Sequence, residues 1–185
     1  MEFKVKSAKF KVKRISITGP ESTGKSWLAE QLAGIYTTLF VPEFAREYLQ
    51  KLNRPYTFED IATIAKEQLK RENYLAGKAC NVLFCDTDLL VTKVWSYYKY
   101  GKCDPWIEKE VNRHHYDLYL LCDIDLPWEE DPLREHPDRR KELFDIYHIE
   151  LKKMNANYRI ISGTGIERLN NAIYFINSAL EVDIA

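Results

Sequence analysis

The sequence has no excess of either charge, no paired cysteines and no long apolar run. Its 27 Lys and Arg stand against 28 Asp and Glu, for a formal net charge of −1. So even a balance offers no basic face for nucleic acid or an anionic membrane. The four cysteines, Cys80, Cys85, Cys103 and Cys122, form no C-x-x-C pair, and His114-His115 lacks ligand spacing, so structural zinc is not expected. Cys85 and Cys122 lie inside apolar, strand-like runs and read as buried thiols of a cytoplasmic protein. No apolar stretch is long enough to insert in a bilayer. Residues 1–13 alternate lysines with Phe and Val without a signal-peptide core, which suits a tail or an edge strand. Repeats, low-complexity tracts and linker-like composition are missing too, so residues 14–185 are read as a single domain.

What is present is ordinary globular material: 45% hydrophobic and 30% charged residues over 185 positions, enough for one sizeable core. Within it, Gly19-Pro20-Glu21-Ser22-Thr23-Gly24-Lys25-Ser26 fits G-x-x-x-x-G-K-[ST], a phosphate-binding loop. Residues 14–18 before it read as a buried strand, and Trp27 onward reads as a helix. Gly19 and Gly24 allow backbone conformations that side chains obstruct, so the loop N–H groups converge on phosphate at the helix's positive end. Gly19, Glu21, Ser22, Thr23, Gly24, Lys25, Ser26 and Trp27 are therefore the candidate ATP-binding set. Lys25 is expected to reach the β- and γ-phosphates and Ser26 to bind Mg²⁺.

Along the rest of the chain strands alternate with helices. Strands are expected at 37–41, 81–86, 116–122 and 158–162, and helices at 43–49, 57 onward, 89–100, 104 onward, 138–154 and 166–180. Thr57-Phe-Glu-Asp60 reads as a capping box, with Ile61, Ile64, Ala65, Leu69 and Tyr74 marking that helix's apolar side. This alternation implies parallel βαβ units in a three-layer α/β domain, with ligands at the carboxyl ends of the strands.

Asp86 ends an apolar strand as a Walker B acid does, and Asp88 follows. One carboxylate can hold Mg²⁺ while the other orients or deprotonates an acceptor hydroxyl; Asp86 is assigned to the metal and Asp88 to the acceptor side, with the reverse assignment left open. Glu43, Phe44 and Arg46 stand where the second strand ends, beside the acceptor pocket. The Pro-broken stretch 125–137 leads into Arg134, Arg139 and Arg140 and has the composition of a lid, with Arg134 and Arg140 as candidates for stabilising a transferring phosphoryl group. Of the aromatics near the acceptor side, Phe40, Phe44, Tyr48, Tyr56, Phe58, Trp95, Tyr97 and Tyr98, one or two could stack on a flat ring.

The segments Gly-Pro-Glu-Ser-Thr-Gly-Lys-Ser (19–26), Pro-Glu-Phe-Ala-Arg-Glu-Tyr (42–48), Cys-Asp-Thr-Asp (85–88) and Asp-Pro-Leu-Arg (131–134) occur in one order and spacing. In this the chain resembles the ribosylnicotinamide kinase domain of bacterial NadR proteins, over roughly residues 14–180. The resemblance implies a P-loop kinase with a five-stranded parallel sheet that phosphorylates nicotinamide riboside with ATP and Mg²⁺. Larger NadR proteins carry a DNA-binding and an adenylyltransferase domain upstream; thirteen residues hold neither, so neither activity is expected of this chain. Pro42 stands where the family often has Trp. Two other readings stay open: a kinase for another nucleoside or a nucleoside monophosphate, and a nucleotide-sensing regulatory ATPase. The sequence leaves oligomeric state open.

Overall fold

The computed structural model describes residues 11–180; the tail or edge strand read for residues 1–13 lies almost wholly outside them. In chain order the elements are β1 (Lys13–Thr18), α1 (Lys25–Ile35), β2 (Leu39–Val41), α2 (Phe44–Lys51), α3 (Phe58–Ala76), β3 (Val82–Asp86), α4 (Leu89–Tyr100), α5 (Pro105–Arg113), β4 (Leu118–Cys122), α6 (Arg140–Lys153), β5 (Tyr158–Ile161) and α7 (Gly165–Leu180). The strands form one parallel sheet in the order β2-β3-β1-β4-β5. β3 and β4 are buried at every position, as near-continuous apolar runs in a parallel sheet must be.

Two helical layers cover the sheet. Ile15, Ile17, Phe84, Leu118 and Leu120 on one face pack with Leu28 and Leu32 of α1 and Ala172 and Ile176 of α7. The other face, with Leu83, Cys85, Tyr119 and Leu121, meets Leu90 and Val94 of α4 and Leu143, Phe144 and Tyr147 of α6. Each fully buried leucine or isoleucine there contributes about 1.5–3 kcal/mol. β1, at the centre, pairs with β3 through Ile17↔Asp86 and with β4 through Thr18↔Leu121, so strand order reverses where the phosphate loop leaves the sheet.

The structure moves some boundaries. β2 starts at Leu39 and not at residue 37, because Thr37 (φ 49°) ends α1 in the left-handed region and the Thr38 N–H donates back to the Ala33 carbonyl at 2.9 Å. β4 starts two residues later than its apolar run, because the Asp117 carboxylate takes the Arg14 N–H at 2.8 Å. The capping box at Thr57 and Asp60 forms as read. Tyr74, however, is exposed, and Gln68 and Glu72 share the buried side of α3 with Ile61, Ala65 and Leu69. Glu72 is tolerated there because the Tyr116 hydroxyl donates to it and His114 lies within 3.2 Å. Cys85 and Cys122 are buried free thiols. Among the described residues no helix is long and apolar enough to cross a membrane.

Candidate active site

The phosphate loop bridges β1 and α1 in a backbone only part of which an L side chain could adopt. Gly19 has φ 125°, and a Cβ there would sit 3.0 Å from the Cys122 carbonyl oxygen. Gly24 (φ 74°) precedes α1 and caps it with no side chain, so the first-turn N–H groups stay open to an anion. The Thr23 hydroxyl and the Lys25 ammonium both donate to the Pro20 carbonyl, at 2.8 and 2.6 Å, folding the loop over itself. Ser26 and Trp27 remain exposed. Arg168 of α7, fully buried, supports the loop from behind: it donates to the Thr23 carbonyl at 3.3 Å, to those of Ile161 and Gly163, and to the Asp125 carboxylate.

A cavity of about 600 Å³ opens in front of the loop and is lined by all of residues 19–27. Its opposite wall comes from α2, α4 and the turn before α3: Glu43, Arg46, Tyr56, Val91, Trp95 and Tyr98. Of the eight aromatics considered, Tyr56, Trp95 and Tyr98 line it. Tyr56 and Trp95 meet edge to face at 4.9 Å, with the indole N–H donating to the Tyr56 hydroxyl. Phe44 does not line the cavity and is corrected as an acceptor contact: its ring is buried beneath the Arg71 guanidinium, 4.3 Å from the ring centre. The rotation of α2 decides this. Its first N–H, that of Phe44, is held by Gln68 Oε1 at 2.9 Å, which turns Phe44 inward and leaves Glu43 at the rim.

Asp86 and Asp88 separate. Asp86 is 2% exposed, and its Oδ1 has no hydrogen-bond partner. Burial pushes its carboxyl up to about 6, Glu43 pushes the same way, and Ser26, Lys25 and Arg46 oppose them. Asp88 is fully buried at the start of α4: it accepts from the Ser16 hydroxyl and, as the α4 N-cap, from the Val91 N–H at 2.8 Å. Burial lifts its carboxyl to about 6 as well. Asp88 thus caps α4 and is not among the residues lining the cavity. Between the two, Thr87 has φ 66°, a conformation costing a β-branched residue on the order of 1–3 kcal/mol. That corner swings Asp88 away from the side Asp86 occupies.

Asp88→Ala is expected to cost about 1–2 kcal/mol through the lost cap and the stranded Ser16 hydroxyl. Asp88→Asn, which keeps an acceptor oxygen, should hold both fold and turnover. Melting and turnover of the pair decide the matter, and an Asn variant without activity would return Asp88 to the chemistry.

The segment 126–140 lies down over the loop. Arg140 donates to the Ser22 and Leu126 carbonyls at 3.2 and 2.8 Å, and Arg134 to the Ser22 hydroxyl at 3.3 Å. Arg139 turns outward to Glu142 at 2.6 Å. Glu21 Oε2 accepts the N–H groups of Glu135 and His136 at 3.0 and 3.1 Å. At the opposite wall of the cavity the same segment is tied by Arg46–Asp131 at 2.7 Å, Lys99–Glu135 at 2.7 Å and Tyr56–Glu135 at 2.7 Å. Gln68, Arg168, Lys99 and Glu135 were not singled out by the sequence reading. Gln68 sits at helical spacing from Ile61, Ala65 and Leu69, and Arg168 likewise beside Leu169, Ala172 and Ile176, so a polar residue on an apolar stripe was the available signal.

A family model described as AAA domain matches residues 14–168. The trifunctional NAD biosynthesis/regulator proteins NadR of Salmonella typhimurium (strain LT2) and Escherichia coli (strain K12) are each 30% identical over 129 residues, covering 68% of this chain and 32% of theirs. The chain thus spans about a third of the length of those curated relatives. Among solved structures, the NadR protein in complex with NR superposes with TM-score 0.81 at 22% identity, over 95% of this chain and 53% of that one. Thymidylate kinase from Ehrlichia chaffeensis follows with TM-score 0.62 at 17% identity, over 90% and 98%. Deoxyadenosine kinase from M. mycoides gives 0.59 at 14%, over 89% and 99%. At these identities the superpositions establish the fold.

Proposed function

This chain belongs to the AAA domain family, and on that footing we propose that it transfers the γ-phosphoryl group of ATP to the 5′-hydroxyl of a ribonucleoside, with nicotinamide riboside as the favoured acceptor. One observation carries the reading. A single cavity holds a phosphate loop at one end and, at the other, the rings of Tyr56, Trp95 and Tyr98, with Glu43 among its lining residues. A pyridinium ring is flat and cationic, so aromatic faces beside carboxylates suit it. The cations at that end are already paired: Arg46 with Asp131, Arg54 with Asp60, Lys99 with Glu135. That leaves poor recognition for a monophosphate, which needs basic groups free to bind it. Similarity to NadR proteins, whose name places them in NAD biosynthesis, supports the same choice.

Mg²⁺ suits the donor end, where the Asp86 oxygen lacks a partner beside the exposed Ser26 hydroxyl. Ser26 and Asp86 would hold it, and when bound it neutralises charge on the phosphate oxygens. Lys25 and the open N–H groups of α1 hold the triphosphate. Arg134 and Arg140, whose guanidinium groups flank Trp128 at 6.0 and 5.9 Å, stand over the loop to stabilise the transferring group, and the lid excludes water. Glu43, at the rim and near Asp86, is the remaining carboxylate able to orient the acceptor hydroxyl.

A coupled kinase assay tests the reading with nicotinamide riboside, its uncharged reduced form, neutral nucleosides and monophosphates, alongside ATP hydrolysis without acceptor. Nicotinamide riboside should react fastest. A preference for a monophosphate, or equal rates for the charged and reduced ribosides, overturns the acceptor; acceptor-independent hydrolysis overturns the kinase. In the same assay Arg134→Lys should lower turnover roughly tenfold with little change in melting temperature, since a point charge replaces a fork. Unchanged turnover would make the lid arginine a surface residue.

A further inference from the structure

Thr87 has no part in the roles described so far. It is 6% exposed and lines the cavity directly after Asp86. Its amide donates to the Ile17 carbonyl at 3.1 Å. Among the described residues its hydroxyl makes no hydrogen bond, although its neighbours are held: the Asp86 carbonyl by Gln68, and Asp88 by Ser16 and Val91. Its φ of 66° lies where glycine and asparagine are at ease and a β-branched residue is not. Elsewhere this chain puts asparagine in that region at Asn81 and Asn155, serine at Ser22 and threonine at Thr37. What sets Thr87 apart from Thr37 is its place: it is buried, it lines the cavity, and among the described residues its hydroxyl has no partner.

Its place suggests the reason. On one side Thr87 adjoins Asp86 and, through it, the phosphate loop; on the other, α4 carries Val91 and Trp95 along the acceptor wall. The residue stands where donor and acceptor halves of the cavity join. We infer that Thr87 binds the acceptor, its hydroxyl exchanging a hydrogen bond with a sugar oxygen and so setting the distance between that sugar and the phosphate loop. The rigid corner serves this: a hydroxyl on a buried, constrained backbone is pre-positioned. The inference rests on the riboside-kinase reading above.

Four variants test it. Thr87→Val keeps shape and branching and loses the hydroxyl; Thr87→Ser keeps the hydroxyl; Thr87→Asn suits the backbone. Thr37→Asn is the comparison, since Thr37 shares the left-handed conformation (φ 49°) but is exposed, at the end of α1, and outside the cavity lining. Thr87→Val should raise the acceptor KM roughly tenfold, the worth of one lost hydrogen bond, with the KM for ATP unchanged. Thr87→Ser should stay within about twofold of wild type. Thr87→Asn should melt above wild type yet keep the acceptor defect, and it carries the test if the valine variant does not fold. Thr37→Asn should also melt higher, with wild-type kinetics. A Val or Asn variant with wild-type acceptor KM, or one whose KM for ATP rises equally, overturns the inference. A wild-type protein silent toward every riboside overturns the functional reading itself, and this inference with it.

Discussion

A Lys25→Ala protein is expected to fold and melt as wild type does and to transfer phosphoryl at least about 10²-fold more slowly. The stability half follows from the loop's own bonding. Lys25 is half-buried and donates to the Pro20 carbonyl, which keeps the Thr23 hydroxyl at 2.8 Å when the ammonium is gone. No core contact is lost, so melting should move by no more than about 1–2 °C. The activity half follows from charge, since the γ-phosphoryl carries its negative charge over three oxygens as it moves. Side by side, calorimetry and single-turnover transfer separate the two, and a variant with wild-type turnover would remove the loop from the reaction.

Asp86→Asn should be nearly inactive and yet more stable than wild type at neutral pH. Burial holds the Asp86 carboxyl at about 6, well above its ordinary value near 4. The folded protein therefore binds that proton more tightly than the unfolded chain does. The resulting stabilisation is full below about pH 4 and is lost as pH rises through about 6, a difference on the order of 3 kcal/mol. Asparagine does not titrate and escapes the loss. Without nucleotide, the variant should melt higher by about 6–12 °C at pH 7.5, with the gap closing below pH 4. Turnover should fall about 10²-fold or more, and the Mg²⁺ needed for half-maximal activity should rise. Equal melting across that pH range, or an unchanged metal requirement, would contradict the role given to Asp86.

The parts of this site written in short-range pattern were legible in the sequence. The phosphate loop announces itself because glycines, lysine and serine must lie within eight residues, and the strand ending at Asp86 because four apolar residues run straight into an acid. The sheet's parallel order followed from strand–helix alternation. What was illegible depends on rotations that no local pattern encodes. Asp86 and Asp88 are two apart and would share a side of a continuing strand, but Thr87 turns left-handed and carries Asp88 to the start of α4, against Ser16. Phe44 faces inward because Gln68, on another helix, fixes the start of α2. Tyr56, Trp95 and Glu135 come together from three separated segments, and only the folded chain brings them within hydrogen-bonding reach.

The central position of β1 also bears on how the protein is made. Ile15 aligns with Phe84 on one side and Leu118 on the other, roughly 70 and 100 residues further along a chain synthesised at about 5–20 residues per second. The innermost strand emerges before both of its neighbours and waits on the order of 5–20 s for the second. Until then the phosphate loop hangs from a strand with at least one open edge, and Gly19 has no Cys122 carbonyl against which to fit. A nascent chain halted before β4 would carry the whole phosphate-loop motif beside a strand with one open edge, so the motif is encoded well before the sheet that frames it is complete.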